Sequence, residues 1–128
     1  MSPEHSAVLW VGQAAVVALP AEIDITNADQ LREDLLAVVN RGAAMLVVDM
    51  SATTFCDSAG VNALARTYKR ATASGTGMGM VVSAAAVRRV LAITEIDRLI
   101  ASYPSVAAAL DSMLEMQVSD EKSHPEPA

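Results

Sequence analysis

Aromatic residues are scarce in this sequence of 128 residues, and their scarcity limits how a core can be built. They make up 3% of the chain, whereas hydrophobic residues as a class make up 52%. The core must therefore be packed from Ala, Val, Leu, Ile and Met side chains. A chain of this length fits one domain and can bury such a core without disulfides or a structural metal.

Cysteine and basic residues are also few, and each shortage excludes a class of site. The lone cysteine, Cys56, can form neither an intramolecular disulfide nor a cysteine-rich zinc site. Nine Lys and Arg against fifteen Asp and Glu give a formal charge of −6, which argues against nucleic acid as a partner because phosphate binding needs a positive surface. We expect no metal ion and no cofactor.

Long apolar runs are missing as well. No run reaches the roughly 20 residues of a membrane span, and the start, MSPEHSAVLW, lacks the basic and then apolar pattern of a signal peptide. These absences predict a cytoplasmic protein without direct membrane contact. We predict an N-terminal tail at 1–6, a domain at 7–116 and a disordered C-terminal tail at 117–128, because the last segment is polar and contains proline.

The residues that are present alternate between strand-like and helix-like patterns. The predicted strands are 7–11 and 14–19, joined by a two-residue turn at Gly12-Gln13, then 44–50, 78–82 and a short edge strand within 98–103. The predicted helices are 25–42, a segment from Ser58 to the GTG at 75–77, 84–93 and 104–114. Thr26 is the predicted cap of the first helix, with Asp29 three residues later. This order predicts an α/β domain with a largely parallel sheet and antiparallel character at one side.

The stretch TTFCDSAGVNALARTYKR, residues 53–70, places Ser58 between a buried strand and an amphipathic helix. A hydrolase nucleophile elbow would have the pattern G-x-S-x-G, but Cys56 replaces the first glycine. A serine nucleophile also needs a base, and the two histidines, His5 and His124, fall in the predicted tails. The glycines of GTGMG precede a strand, where a phosphate loop would follow one, so we interpret them as a helix end and turn. The sequence therefore disfavours an enzyme.

Two other roles for Ser58 remain open on residue chemistry alone. Asp57 or Ser58 could cap the following helix, and two adjacent candidates leave one of them free. A small, exposed hydroxyl at a helix start could instead accept a phosphate, whose charge we expect the helix N–H groups to tolerate. Asp24, Asp49 and Asp57 would make that corner acidic already, and we expect Phe55 to anchor the loop.

The run VVDMSATTFCDSAGVNALARTYKRA, residues 47–71, resembles the signature of STAS domains, specifically of bacterial anti-sigma factor antagonists. The segment PAEIDITNADQLREDL, 20–35, is similar to the family's earlier segment, with Glu22 and Asp24 before the first helix. Residues 85–110 resemble its C-terminal half, so the resemblance covers about 7–115. Two departures are Ala59, where the family often has a second hydroxyl residue, and Ala21, where it commonly has glycine.

The resemblance implies a STAS fold with a four- to five-stranded sheet packed against about four helices. It also implies that the protein binds and sequesters an anti-sigma factor that is a serine kinase, which frees a sigma factor. That kinase would end the interaction by phosphorylating Ser58, and a serine phosphatase would restore it. The implied partner surface is formed by Glu22, Asp24, Asp57, Ser58, Ala59, Gly60 and Val61. The alternative is a soluble STAS accessory subunit of a membrane transporter or lipid-transport complex. The oligomeric state is not specified.

Overall fold

The computed structural model describes the backbone of residues 6–123 and the side chains as far as Met116. The strands are β1 (Ala7–Val11), β2 (Ala14–Ala18), β3 (Glu22–Ile23), β4 (Met45–Met50), β5 (Phe55–Cys56), β6 (Gly77–Val82) and β7 (Ala101–Tyr103). The helices are α1 (Ala28–Asn40), α2 (Ser58–Ala73), α3 (Ala85–Ile93), α4 (Ile96–Leu99) and α5 (Val106–Ser123). This order confirms the predicted alternation of strands and helices.

Five of the strands form one sheet in the order β1-β2-β4-β6-β7. β1 pairs with β2 in antiparallel fashion, and all the other pairs in this sheet are parallel. The predicted α/β fold and its hairpin at one edge are therefore confirmed. Gly12 makes the two-residue turn of that hairpin possible, because its φ of 60° lies in the left-handed region that glycine adopts without steric cost.

The two faces of the sheet bury separate cores, because successive strand residues point to opposite sides. Leu46 and Val48 pack with helices α1 to α4, whereas Met45 and Val47 pack against α5. The largest fully buried side chains are all aliphatic or methionine, as the shortage of aromatics predicts. Each such side chain contributes about 1.5–3 kcal/mol through removal from water.

The predicted start of α1 is wrong by about one turn. The helix begins at Ala28 with Asn27 at the N-cap, and no side chain caps it. The hydroxyl and the N–H group of Thr26 both donate to Asp24 Oδ1, so Thr26 belongs to a turn before the helix. The predicted capping arrangement of Thr26 with Asp29 is therefore also wrong.

The C-terminal segment is helical for longer than its composition suggests. Helix α5 continues to Ser123, so the predicted boundary at 117 falls inside it. Residues 124–128, like residues 1–5, lie outside the described residues. In the described part of the chain, no helix is long and apolar enough to cross a membrane.

Candidate functional site

A second, two-stranded sheet brings the two halves of the predicted site together. Strands β3 and β5 run parallel, with Glu22 opposite Phe55 and Ile23 opposite Cys56. The N–H group of Asp57 then donates to the carbonyl oxygen of Ile23 over 3.1 Å. Asp24 and Asp57 follow these paired strands, so they lie at the same end of the domain, as predicted.

Asp57, not Ser58, caps helix α2. Its Oδ1 atom accepts hydrogen bonds from the N–H groups of Ala59 at 2.9 Å and Gly60 at 3.3 Å. Ser58 is the first residue of the helix, and it is exposed. The sequence left open which of the two residues caps the helix, and the structure shows that it is Asp57. The Ser58 hydroxyl takes no part in the cap.

This cap corrects one expectation about a phosphate on Ser58. The helix N–H groups were expected to meet the added charge, but those of Ala59 and Gly60 are already bonded to the Asp57 carboxylate. A phosphate would therefore interact with the helix mainly through the dipole, and it would lie beside an existing negative charge.

Asp24 is held in a tight turn between β3 and α1. Its Oδ1 atom accepts hydrogen bonds from the hydroxyl and the N–H group of Thr26, and its own N–H group donates to Asn27 Oδ1 at 3.0 Å. The Thr26 hydroxyl, followed by the Thr26 N–H group, lowers the pKa of the Asp24 carboxyl. Asp24 therefore presents a fixed, ionised carboxylate at neutral pH.

Gly60 allows helix α2 to approach the two-stranded sheet closely. A Cβ atom at this position would lie 2.6 Å from Cys56 Sγ and 2.7 Å from Ile23 Cγ2. Cys56 is only 3% exposed, and burial, together with the nearby Asp57 charge, raises the pKa of its thiol to about 11. Cys56 is therefore a packing residue with a protonated thiol.

Thr53, rather than Phe55, anchors the loop between β4 and β5. Thr53 is fully buried, and its hydroxyl donates to the carbonyl oxygen of Pro20 over 2.8 Å. Phe55 is 51% exposed, because its side chain points away from that of the buried Cys56. The prediction that Phe55 is the anchor is wrong.

Two exposed apolar side chains at this end of the domain were missed by the sequence analysis. Phe55 is one of them, and Ile25, which is 81% exposed in the turn after β3, is the other. Alternation from the buried Cys56 would have indicated the exposure of Phe55, because adjacent strand residues point to opposite faces. Ile25 lies in the turn after β3, where strand alternation does not apply. We call the set Glu22, Asp24, Ile25, Phe55, Asp57 and Ser58 the Ser58 surface.

Two members of the implied partner surface are less accessible than expected. Val61 is 9% exposed and packs in the core, and Gly60 is buried against Cys56 and Ile23. The exposed start of the helix is formed instead by Ser58 and then Asn62. The expectation that the side chain of Val61 contributes to an exposed surface is therefore wrong.

The Ser58 surface combines a hydroxyl, carboxylates and exposed apolar side chains. Both of its aspartates accept hydrogen bonds at Oδ1, Asp57 from backbone N–H groups and Asp24 from Thr26. His5 and His124 lie outside the described residues. Within the described residues, no group of three or more His, Cys, Asp or Glu side chains could hold a metal ion.

Comparison with known proteins gives concordant matches. The family model of the STAS domain matches residues 7–109. The crystal structure of an anti-sigma factor antagonist from Mycobacterium paratuberculosis is 33% identical in sequence and has a TM-score of 0.77, with 84% of this chain and 91% of that chain covered. A search of curated proteins finds no match.

Two more distant structures share the fold. The Bacillus cell fate determinant SpoIIAA in its phosphorylated form is 18% identical, with a TM-score of 0.65 over 84% of this chain and 98% of that chain. The murine anion transporter Slc26a9 is 20% identical, with a TM-score of 0.65 over 78% of this chain but only 17% of that chain. The same fold thus occurs both as a small separate protein and as a minor part of a transporter.

Proposed function

This chain belongs to the STAS domain family, and on that premise we propose that it is an anti-sigma factor antagonist. It binds a kinase-type anti-sigma factor, sequesters it and so releases a sigma factor. The proposal rests mainly on the start of α2, where Asp57 caps the helix and Ser58 is exposed. The similarity to an antagonist at 33% identity supports the same role.

Phosphorylation of Ser58 is the proposed off-switch. The γ-phosphoryl group of ATP moves to Ser58 Oγ, the bond to ADP breaks, and the hydroxyl proton is released to the kinase. The added group carries about 1.5 to 2 negative charges near neutral pH. It joins a surface that already presents Glu22, Asp24 and Asp57, and a serine phosphatase that hydrolyses the phosphoester restores binding.

The Ser58 surface indicates what the partner must offer. Phe55 and Ile25 expose apolar area that a partner can cover, and a phosphate added beside them would face an acidic part of the partner surface, which it would repel. Ala59 and Gly60 bring no bulk, so a partner can approach the Ser58 hydroxyl closely. This combination suits a protein partner that is complementary to the surface in shape and charge. The chain itself acts as a non-catalytic binding module.

The competing function is that of an accessory subunit of a membrane transporter or lipid-transport complex. The match to part of an anion transporter is the observation behind it. Capture of partners by the tagged chain from its native host, identified by mass spectrometry, separates the two roles. A kinase-type anti-sigma factor among the stoichiometric partners supports the proposal, whereas a permease component supports the alternative.

The kinase reaction tests the switch directly. We expect the captured anti-sigma factor and ATP to add one phosphate to the wild-type chain and none to Ser58→Ala. Ser51→Ala is the matched control, because Ser51 is also exposed and follows the neighbouring strand β4. Mass spectrometry of the products contradicts the proposal if the phosphate is found on Ser51 or elsewhere, or if Ser58→Ala is still modified.

A further inference from the structure

A groove lies at the opposite end of the sheet from Ser58. It has a volume of about 520 Å³ and is lined by residues from the start of β4 and β6, from β7, and from helices α2, α4 and α5. Because β4 and β6 are parallel, Met45 and Gly77 begin their strands at the same edge. The Ser58 surface follows the ends of strands, so the groove is a separate site.

The short edge strand β7 explains why the groove exists. β7 pairs only with Gly79, Met80 and Val81 of β6, which leaves Gly77 and Met78 without a strand partner on that side. The space beside Gly77 and Met78 is bordered by Tyr68 and Thr72 of α2 on one face of the sheet and by Met113 and Met116 of α5 on the other. Gly77 has no side chain to fill it.

The groove is closed at one end by tight packing. A Cβ atom on Gly79 would lie 2.9 Å from Tyr103 Cε2 and 3.0 Å from Met113 Sδ, so these two side chains rest directly on the β6 backbone. A Cβ atom on Gly77, in contrast, would meet nothing closer than 3.7 Å, at Met113 Cε. Free space therefore begins at Gly77 and extends away from the closed end.

The described side chains that line the groove are mostly apolar, flexible and uncharged. Four methionines line the groove, at positions 45, 78, 113 and 116, together with Tyr68, Tyr103 and Leu99. Among the described residues that line the groove, the polar side chains are the hydroxyl groups of the two tyrosines and of Thr72 and Thr76, and none is Asp, Glu, Lys or Arg. Methionine side chains adapt to irregular apolar shapes because they are unbranched and flexible.

We propose that this groove binds an uncharged aliphatic chain. The volume lies within the range of small-molecule sites, and such sites combine apolar walls with a few hydroxyl or backbone groups that orient the ligand. A charged ligand would enter without a partner of opposite sign, which is costly in an apolar site. The flexible walls suit an unbranched chain, and a terminal hydroxyl of such a ligand can hydrogen-bond to the Thr72 hydroxyl.

The C-terminal segment is a poorer match for the same groove. Residues 124–128, HPEPA, contain one histidine, one glutamate and two prolines. Such a segment offers neither a continuous apolar chain nor neutral chemistry throughout. The uncharged walls therefore favour a separate aliphatic ligand over this part of the chain.

Methionine methyl resonances provide the test, with 1-decanol as the probe and full-length protein labelled with ¹³C at the methionine methyl groups. We expect saturable shifts of the signals from Met45, Met78, Met113 and Met116. Met50 and Met80 are fully buried in the core and are not among the described residues that line the groove, so they are internal controls whose signals should stay in place. The absence of a saturable shift, or equal shifts of all six signals, would overturn the proposal.

A groove-filling variant and a charged probe sharpen the test. Gly77→Val adds apolar volume where a Cβ atom has ordinary contacts, so we expect at least tenfold weaker decanol binding with an unchanged melting temperature. Ala37→Val, on an exposed position of α1, is the control and should bind like the wild type. Decanoate at pH 8 should bind at least tenfold more weakly than decanol. Wild-type affinity of Gly77→Val, or equal affinity for decanoate, would overturn the proposal.

Discussion

At the scale of single residues, the neighbours Asp57 and Ser58 can both accept hydrogen bonds, but only Asp57 caps helix α2. Asp57 accepts two N–H bonds at the start of α2, whereas Ser58 projects from the first turn into solvent. The sequence predicted that one of the pair would cap the helix but could not say which. The decision depends on backbone geometry, because Asp57 is fixed in an extended conformation by the bond from its N–H group to Ile23.

The cap can be checked by stability measurements. Asp57→Ala should lower the free energy of unfolding by about 1 kcal/mol, since it removes the acceptor for two helix N–H groups. Asp57→Asn should cost much less, because asparagine caps helices as well as aspartate does. Urea unfolding of both variants and of Ser58→Ala measures the three values. A loss from Ser58→Ala as large as that from Asp57→Ala would show that Ser58 contributes to the cap.

The buried thiol of Cys56 is expected to make the free energy of unfolding depend on pH. Its folded-state pKa of about 11 exceeds the ordinary value of 9.0, so the folded chain retains the thiol proton more strongly than the unfolded chain does. The associated stability is present below pH 9 and is lost as the pH rises towards 11. We expect the stability difference between the wild type and Cys56→Ala to shrink over this window, as measured by urea unfolding. An unchanged difference at pH 7 and pH 10.5 would contradict a protonated, buried thiol.

At the scale of elements, the sequence predicted the long segments well because each carries a strong local pattern. Continuous apolar runs indicated β4 and β6, and the turn at Gly12-Gln13 indicated the hairpin. The two-residue strands β3 and β5 were missed, since two residues are too few to show a period. Their pairing depends on contacts between residues more than 30 positions apart, such as that of the Thr53 hydroxyl with Pro20.

The exposed apolar residues of the candidate site escaped prediction for the same reason. Ile25 and Phe55 lie beside these short strands, and a large apolar side chain in a sequence is usually interpreted as core. The turn at Asp24 was not predicted because, from the sequence alone, Thr26 resembles the N-cap residue of the following helix. The placement of Asp24, Asp57 and Ser58 at one end of the domain could be predicted, because their motif includes both spacing and the flanking strand and helix; their role in binding stays a prediction.

The contact between α2 and the β3–β5 sheet depends on Gly60. Gly60→Ala should destabilise the protein by about 1–3 kcal/mol, because the new methyl group meets Cys56 and Ile23 at distances that force a shift. The double variant with Cys56→Ala should lose less stability than the sum of the two single variants, since removal of Sγ makes room. Thermal or urea unfolding of the wild type, the two single variants and the double variant gives the coupling free energy between Gly60 and Cys56. Additive losses would mean that Cys56 does not limit the approach of the helix.

At the scale of the whole molecule, the sheet separates two surfaces with opposite chemistry. The Ser58 surface combines carboxylates with exposed Ile25 and Phe55, whereas the groove at the other end is mostly apolar and the described residues that line it carry no charge. Helix α2 spans the distance, with Ser58 at its start and Thr72 near its end. The chain carries a formal charge of −6, so a phosphate on Ser58 adds to an existing negative field. Because Ser58 is exposed and Asp57 forms the cap, we expect the proposed switch to act on binding rather than on the fold.

The most direct test of the switch is calorimetric titration of the anti-sigma factor with unmodified and Ser58-phosphorylated protein. Close like charges in an interface cost several kcal/mol, so we predict that the phosphorylated form binds roughly a thousandfold more weakly while its melting temperature hardly changes. Ser58→Glu should follow the phosphorylated form, and Ser51→Glu, which adds the same charge at the neighbouring strand end, should bind much more tightly than Ser58→Glu. Equal affinity of the phosphorylated and unmodified proteins would contradict the account.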